Sequence, residues 1–194
     1  FIAALTCGGF TGGHFNLAVT LSVYIKENKH YKENLILLPL YFVAQVFGAF
    51  IAQVFSYLIL DKNGIAKIQP NLDNMQWDFG STMIVELLFT FFFILVIMNA
   101  KSSSLSIFHN VVTGATSVIM GLYFAVKCCA PYTGAAFNPS VALANNVFIA
   151  ILFEDNSLMK YLPAYFLGPC IGASLAAFFT KFVTEPILEK KCGV

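Results

Sequence analysis

An eleven-residue block of this chain recurs, with six positions identical. Thr11-Gly12-Gly13-His14-Phe15-Asn16-Leu17-Ala18-Val19-Thr20-Leu21 is matched by Thr133-Gly134-Ala135-Ala136-Phe137-Asn138-Pro139-Ser140-Val141-Ala142-Leu143 at a constant offset of 122, with Thr, Gly, Phe, Asn, Val and Leu coinciding. A second pair of blocks follows in the same order. Leu38-Pro39-Leu40-Tyr41-Phe42 parallels Leu162-Pro163-Ala164-Tyr165-Phe166, and Gly48-Ala49 parallels Gly172-Ala173, at an offset of 124. Two matched blocks mark an internal duplication. The fold must hold the same unit twice, and what separates the copies decides how they are related.

The intervening sequence is apolar. Only 11% of the 194 residues are charged and 58% are hydrophobic, against about 25% and roughly 45–50% in soluble domains. Too few charges remain to cover a water-soluble globule. The 21 Phe and 8 Tyr exclude a disordered chain. Net charge is +1 and all eleven basic residues are Lys, so nothing points to nucleic acid or another charge-driven partner. Membrane lipid is the expected surrounding. Nearly charge-free runs cover 35–60, about 79–100 with Glu86 inside, about 105–130 with His109 and Lys127 near its ends, and about 161–183. Each is long enough for the roughly 20 residues a membrane span needs. Polar connectors occupy 26–34, 61–78, 101–104 and 154–160.

Two apolar pieces do not fit that pattern, and they carry the repeat. Residues 1–25 are broken by Gly8-Gly9 and by Thr11-Gly12-Gly13-His14, and 137–153 is short and follows Pro131-Tyr132-Thr133-Gly134. Each reads as a loop followed by half a helix. Non-helical backbone at membrane depth is tolerated only where it is buried in protein or lines a water-filled cavity. Three full spans separate Asn16 from Asn138. An odd number of crossings puts equivalent points on opposite sides, so the repeats are inverted. Two half-helices then enter from opposite faces and aim their positive dipole ends at the midplane. Asn side chains there donate and accept hydrogen bonds. A neutral polar solute could exchange bonds with them, while a cation would meet two positive ends.

These residues resemble the aquaporin and aquaglyceroporin family, the major intrinsic proteins, which carry two Asn-Pro-Ala boxes on re-entrant half-helices. The boxes read Asn16-Leu17-Ala18 and Asn138-Pro139-Ser140 here. Ala44-Gln45-x-x-Gly48-Ala49 looks like the family's third helix, Glu86 with Thr90-Phe91 its fourth, and Gly168-Pro169-x-x-Gly172-Ala173 its sixth. The resemblance covers essentially the whole chain and implies an all-α membrane protein, an inverted-repeat helical bundle with two re-entrant half-helices. It implies one channel domain over 1–194: a first repeat at 1–60, a second at 79–183 and a tail at 184–194. The family's first helix and most of its second are absent. The chain opens at Phe1 inside an apolar run, without Met or a charged leader, and is expected to lack N-terminal residues.

The resemblance assigns roles and exposes departures. Leu17 replaces the first box's Pro, which suits a helix start without being required. Ser140 replaces Ala and adds a hydroxyl. Val141 stands where the family places a constriction Arg, and the chain has no Arg. Ala135 falls at another constriction position, and a third falls at Val126 or Cys128. Glu86 matches a buried carboxylate that accepts backbone N–H bonds from the re-entrant loop; the alternative is a proton relay, as a carboxylate inside a span is functional by default. Lys127 is expected either to supply the missing charge or to snorkel to the interface. His14 is expected to pack neutral in its loop, with pH gating the alternative; His30 and His109 read as loop histidines.

The function this implies is a passive channel for water and small neutral solutes of glycerol or urea size. The alternative is a poorly conducting scaffold or assembly subunit derived from that fold; a coupled transporter using Glu86 is a third reading. Cys7, Cys128, Cys129, Cys170 and Cys192 have no zinc spacing, and no P-loop, metal cluster or acid/base pair appears. No cofactor, metal or enzyme activity is expected. Family members form tetramers, so a homotetramer is implied, with a hetero-complex possible. Lys26, Lys29, Lys32, Lys101, Lys181, Lys190 and Lys191 fall on one side and Lys62, Lys67, Lys127 and Lys160 on the other, which favours a cytoplasmic C-terminus.

Overall fold

The computed structural model describes the backbone of residues 2–27, 31–65, 67–71, 73, 78–101 and 110–192. His30, His109, Lys29, the connector at 102–104, and the expected start of the third span at 105–109 lie outside the described residues, as do the side chains of Lys32, Lys191 and Cys192. Among the described residues there are eight α-helices and no strand: α1 (Ile2–Thr11), α2 (Leu17–Glu27), α3 (Tyr31–Leu60), α4 (Asp78–Lys101), α5 (Val111–Thr133), α6 (Pro139–Leu152), α7 (Leu162–Phe179) and α8 (Glu185–Cys192). One π-type turn, Thr180–Thr184, joins α7 to α8.

Among the described residues, four stretches are long and apolar enough to cross a membrane: Leu35–Gly64, Phe79–Lys101, Val111–Thr133 and Ser157–Ile187. At about 1.5 Å per residue, even 23 residues reach roughly 35 Å, against ~30 Å of hydrocarbon. Their outer faces are apolar and bare, including Val43, Phe47 and Phe55 on α3 and Phe92 on α4. Apolar faces of this kind suit a lipid or a helix neighbour.

The first apolar piece is helical further than its sequence indicates. α1 runs through Gly8 and Gly9 and stops only at Gly12 and Gly13, whose φ angles are +71° and +65°. Glycine inside a helix costs about 1 kcal/mol relative to Ala; it does not by itself end one. A left-handed residue does. The second copy repeats the stop: Gly134 has φ +76° and Ala135 +53°. Gly12 N–H donates to Gly8 O at 3.0 Å, as Gly134 N–H donates to Ala130 O at 3.1 Å. The Thr11 hydroxyl accepts from Gly13 N–H at 3.3 Å, as the Thr133 hydroxyl accepts from Ala135 N–H at 3.1 Å. Tyr41 donates its hydroxyl to Thr11 O at 2.7 Å and Tyr165 to Thr133 O at 2.5 Å. Phe42 and its repeat mate Phe166 meet edge to face, centroids 6.0 Å apart.

α4 packs most closely on α7, and α2 lies against both. The core between them holds Ala18, Val19, Phe93, Ile94, Ile97, Met98, Ala173 and Ala176. Small residues permit the approach. A Cβ on Gly168 would sit 2.7 Å from Met83 O, and one on Gly172 would collide with Leu87 O. Membrane helices associate by such close packing, because lipid removes the hydrophobic drive between them. Gly48, the repeat mate of Gly172, has no neighbour within 4 Å of a built Cβ. Gly172 is held in close contact with α4. Gly172→Ala is therefore expected to cost about 1–3 kcal/mol through overpacking and to lower the thermal midpoint in detergent.

Candidate functional site

The two half-helices begin at Leu17 and Pro139, immediately after Asn16 and Asn138. Each Asn caps its own helix. Asn16 Oδ1 accepts from Ala18 N–H at 2.8 Å, and Asn138 Oδ1 accepts from Ser140 N–H at 3.1 Å. A capping side chain of this kind satisfies one of the orphan donors of a helix start. The amide ends reach across. Asn16 Nδ2 donates to Phe137 O at 2.8 Å, and Asn138 Nδ2 donates to Phe15 O at 2.9 Å. Each Asn thus holds the residue just before the other Asn. Such mutual bonds require the two starts to meet head to head, as inverted copies do. Each amide keeps a second N–H, and both helices aim their positive ends at the junction. Capping therefore leaves each amide group available at the junction.

The second re-entrant loop is strained and strongly anchored. Ala135 and Phe137 both have left-handed backbone, at φ +53° and +46°. Each such non-glycine residue costs on the order of 1–3 kcal/mol. Glu86 on α4, fully buried, offsets this. Its Oε1 accepts from the Thr133 hydroxyl at 2.7 Å and from Ala136 N–H at 3.0 Å, and its Oε2 accepts from Phe137 N–H at 2.7 Å. Both oxygens bond the loop, two of the three donors being backbone. That matches the expected structural carboxylate and leaves the proton-relay reading without support.

The candidate constriction residues divide. Val126 and Cys128 on α5 and Ala135 in the loop pack on one cluster with Ala125, Cys129 and Phe137, and Phe89 stacks on Phe137 at 6.3 Å. Val141 sits in the first turn of α6, half-buried. None of Val126, Ala135 and Val141 carries a polar side-chain atom, and Cys128 carries only a thiol. Lys127 is exposed and lies over the Tyr123 ring, Nζ 5.7 Å from its centroid.

The first loop is held by groups that donate rather than accept. Gln45 on α3 donates through Nε2 to His14 O at 2.8 Å and to the Thr20 hydroxyl at 3.0 Å, and Lys101 Nζ donates to Gly12 O at 2.8 Å. The His14 ring packs on Tyr41, centroids 5.5 Å apart. The roles of Thr133, Tyr41, Tyr165, Thr20 and Lys101 were missed in the sequence. The two tyrosines lay within the repeated blocks, and that recurrence was the available signal. On the other side, residues 67–71 lie against α6 and the second loop. Lys67 pairs with Asp155 at 3.0 Å, Ile68 N–H reaches Asn145 Oδ1 at 3.4 Å, and Asn71 N–H donates to Tyr132 O at 2.7 Å. Bonds from the Ser157 hydroxyl and amide, with Lys67 beside them, hold the Asp155 carboxyl down to about 2. No grouping of metal-ligating side chains is found among the described residues. Cys7, Cys128, Cys129 and Cys170 are free.

The family model of the major intrinsic proteins matches residues 1–180. The chain belongs to the major intrinsic protein family. Relatives include a glycerol uptake facilitator protein-like 6 from Lactiplantibacillus plantarum, 29% identical over 93% of this chain and 78% of that protein. Aquaporin Z from Brucella melitensis is 30% identical over 92% of this chain and 75% of that protein. The aquaglyceroporin structure from Plasmodium falciparum superposes with a TM-score of 0.79 over 96% of this chain and 78% of that one, at 22% identity, and shares the fold. This major intrinsic protein is an integral, multi-pass membrane channel.

Glu86→Gln tests the anchoring. It leaves one acceptor oxygen for three donors and turns an amide N–H₂ toward the rest. Loss of bonds to a charged group costs about 1.5–3 kcal/mol each. The expected outcome is a lower thermal midpoint in detergent and reduced solute flux in vesicles, with Thr133→Val milder on both.

Proposed function

We infer that residues 1–194 form one channel domain, with repeats at 1–60 and 79–183 and a tail at 184–194, whose pore passes water and neutral solutes of glycerol or urea size. The observation that carries this reading is the reciprocal Asn16–Asn138 junction. Asn16-Leu17-Ala18 and Asn138-Pro139-Ser140 set the midpoint of the path, and each Asn keeps one amide hydrogen for a passing solute. Two helix ends of positive sign face the same point and disfavour cations, a recognised barrier in pores. Permeation is passive and uses no covalent step.

Val126, Cys128, Ala135 and Val141 are the residues we assign to the outer constriction. Val141 is short, apolar and uncharged, so it neither narrows the path nor adds donors or charge. Such a constriction suits a solute with a carbon backbone better than a strict water filter, and the glycerol facilitator among the relatives is in keeping with it. We place the C-terminus on the cytoplasmic side, the side of Lys26, Lys101 and Lys181, and expect four copies to assemble, each with its own pore. Native mass measurement of the membrane-extracted protein is expected to show the tetramer.

The decisive measurement is stopped-flow light scattering on vesicles containing the protein, compared with Val141→Arg. The substitution is expected to cut glycerol and urea flux more than water flux. Flux no greater than that of empty vesicles for every solute, with properly inserted protein, would overturn the channel reading in favour of a scaffold.

A further inference from the structure

Besides the paired Asn bonds, one side-chain brace crosses between the two halves of the junction. Ser140, fully buried at the second position of α6, donates its hydroxyl to Gln45 Oε1 at 3.0 Å. The same Ser140 gives its N–H to Asn138 Oδ1 at 3.1 Å. Gln45 then spends both amide hydrogens on the first half: one on His14 O at 2.8 Å, one on the Thr20 hydroxyl at 3.0 Å. Thr20 in turn donates to Asn16 O at 3.1 Å. An unbroken hydrogen-bonded path therefore runs from the Asn138 cap through Ser140, Gln45 and Thr20 to Asn16. It has no mirror image, because Ala18 and Pro169 occupy the equivalents of Ser140 and Gln45 and neither offers a polar side chain.

The path fixes an orientation that the half-helices alone leave free. A Gln amide has one acceptor and two donors in fixed positions. The Ser140 hydroxyl takes the acceptor, which forces both donors toward the first loop. Partly buried groups with every partner satisfied rigidify their surroundings; a missing partner leaves a costly orphan.

We propose that Ser140 and Gln45 are positioning residues that lock the first re-entrant loop to the start of the second half-helix and thereby set the spacing of Asn16 and Asn138, and with it the channel's discrimination between water and larger neutral solutes. Neither residue is required to touch the solute. The proposal rests on the channel reading above. Ser140→Ala removes the brace and keeps the helix; Ser140→Thr restores a hydroxyl at the same atom.

The test measures glycerol and water flux by stopped-flow in vesicles for the native protein, Ser140→Ala, Ser140→Thr, Gln45→Leu and the Ser140→Ala/Gln45→Leu double variant. Ser140→Ala is expected to shift the glycerol-to-water flux ratio by about two- to tenfold, the range that one net hydrogen bond corresponds to. Ser140→Thr should return the ratio to within about twofold of native. The double variant should shift it no further than Gln45→Leu alone, the non-additivity of coupled neighbours. A purely structural role would lower protein yield or melting temperature and leave the ratio unmoved. The proposal is overturned if Ser140→Ala keeps the native ratio, or if the two substitutions act additively. Native protein with no flux would instead defeat the channel reading, so the two failures are distinguishable. Should Gln45→Leu fail to insert, the Ser140→Ala and Ser140→Thr pair decides alone.

Discussion

Everything at the centre of this protein depends on an exchange of two hydrogen bonds. Asn16 and Asn138 each cap one half-helix with the side-chain oxygen and hold the other loop's carbonyl with the side-chain nitrogen. A short helix ending at membrane depth has orphan backbone groups and no water to satisfy them. Two such ends, placed head to head, solve the problem for one another. The arrangement also brings two positive helix termini together. That is electrostatically unfavourable unless the gap between them stays wet or meets solute dipoles, and here the stability of the fold and the chemistry of the path become one question.

The two loops feeding this junction are alike in backbone and unlike in support. Both turn at a glycine with φ near +70°, and both hang a carbonyl on a tyrosine hydroxyl. The second loop continues through two strained residues and is drawn into place by a buried carboxylate that accepts from it. The first is gripped at its carbonyls by Gln45 and Lys101. Duplication supplied one backbone solution twice.

The absence of Arg leaves the electrostatics of the path to backbone dipoles. Val141 and Ala135, which we assign to the outer constriction, carry no polar side-chain atom. Lys127, close by in sequence, spends its charge at an exposed aromatic ring. In the proposed path the positive half-helix ends are the charge that a cation would meet.

The sequence by itself determined the fold class, the four spans, the inverted relation of the repeats, the two Asn-led half-helices and Glu86 as a loop anchor. These follow from length, hydropathy and repetition, and each is a property of a segment or of a pair of equivalent segments. Other features were not legible. The helix running through Gly8-Gly9 was hidden because glycine weakens a helix without ending it; the left-handed turn comes at Gly12. Gly172 reads in sequence as one more small residue, and only the packing of α4 against α7 shows that a side chain there would collide with Leu87 O. The Ser140–Gln45 contact joins residues 95 apart in the chain. No local pattern encodes such a bond, because it exists only when two inverted halves close on each other and their buried polar atoms must find partners there.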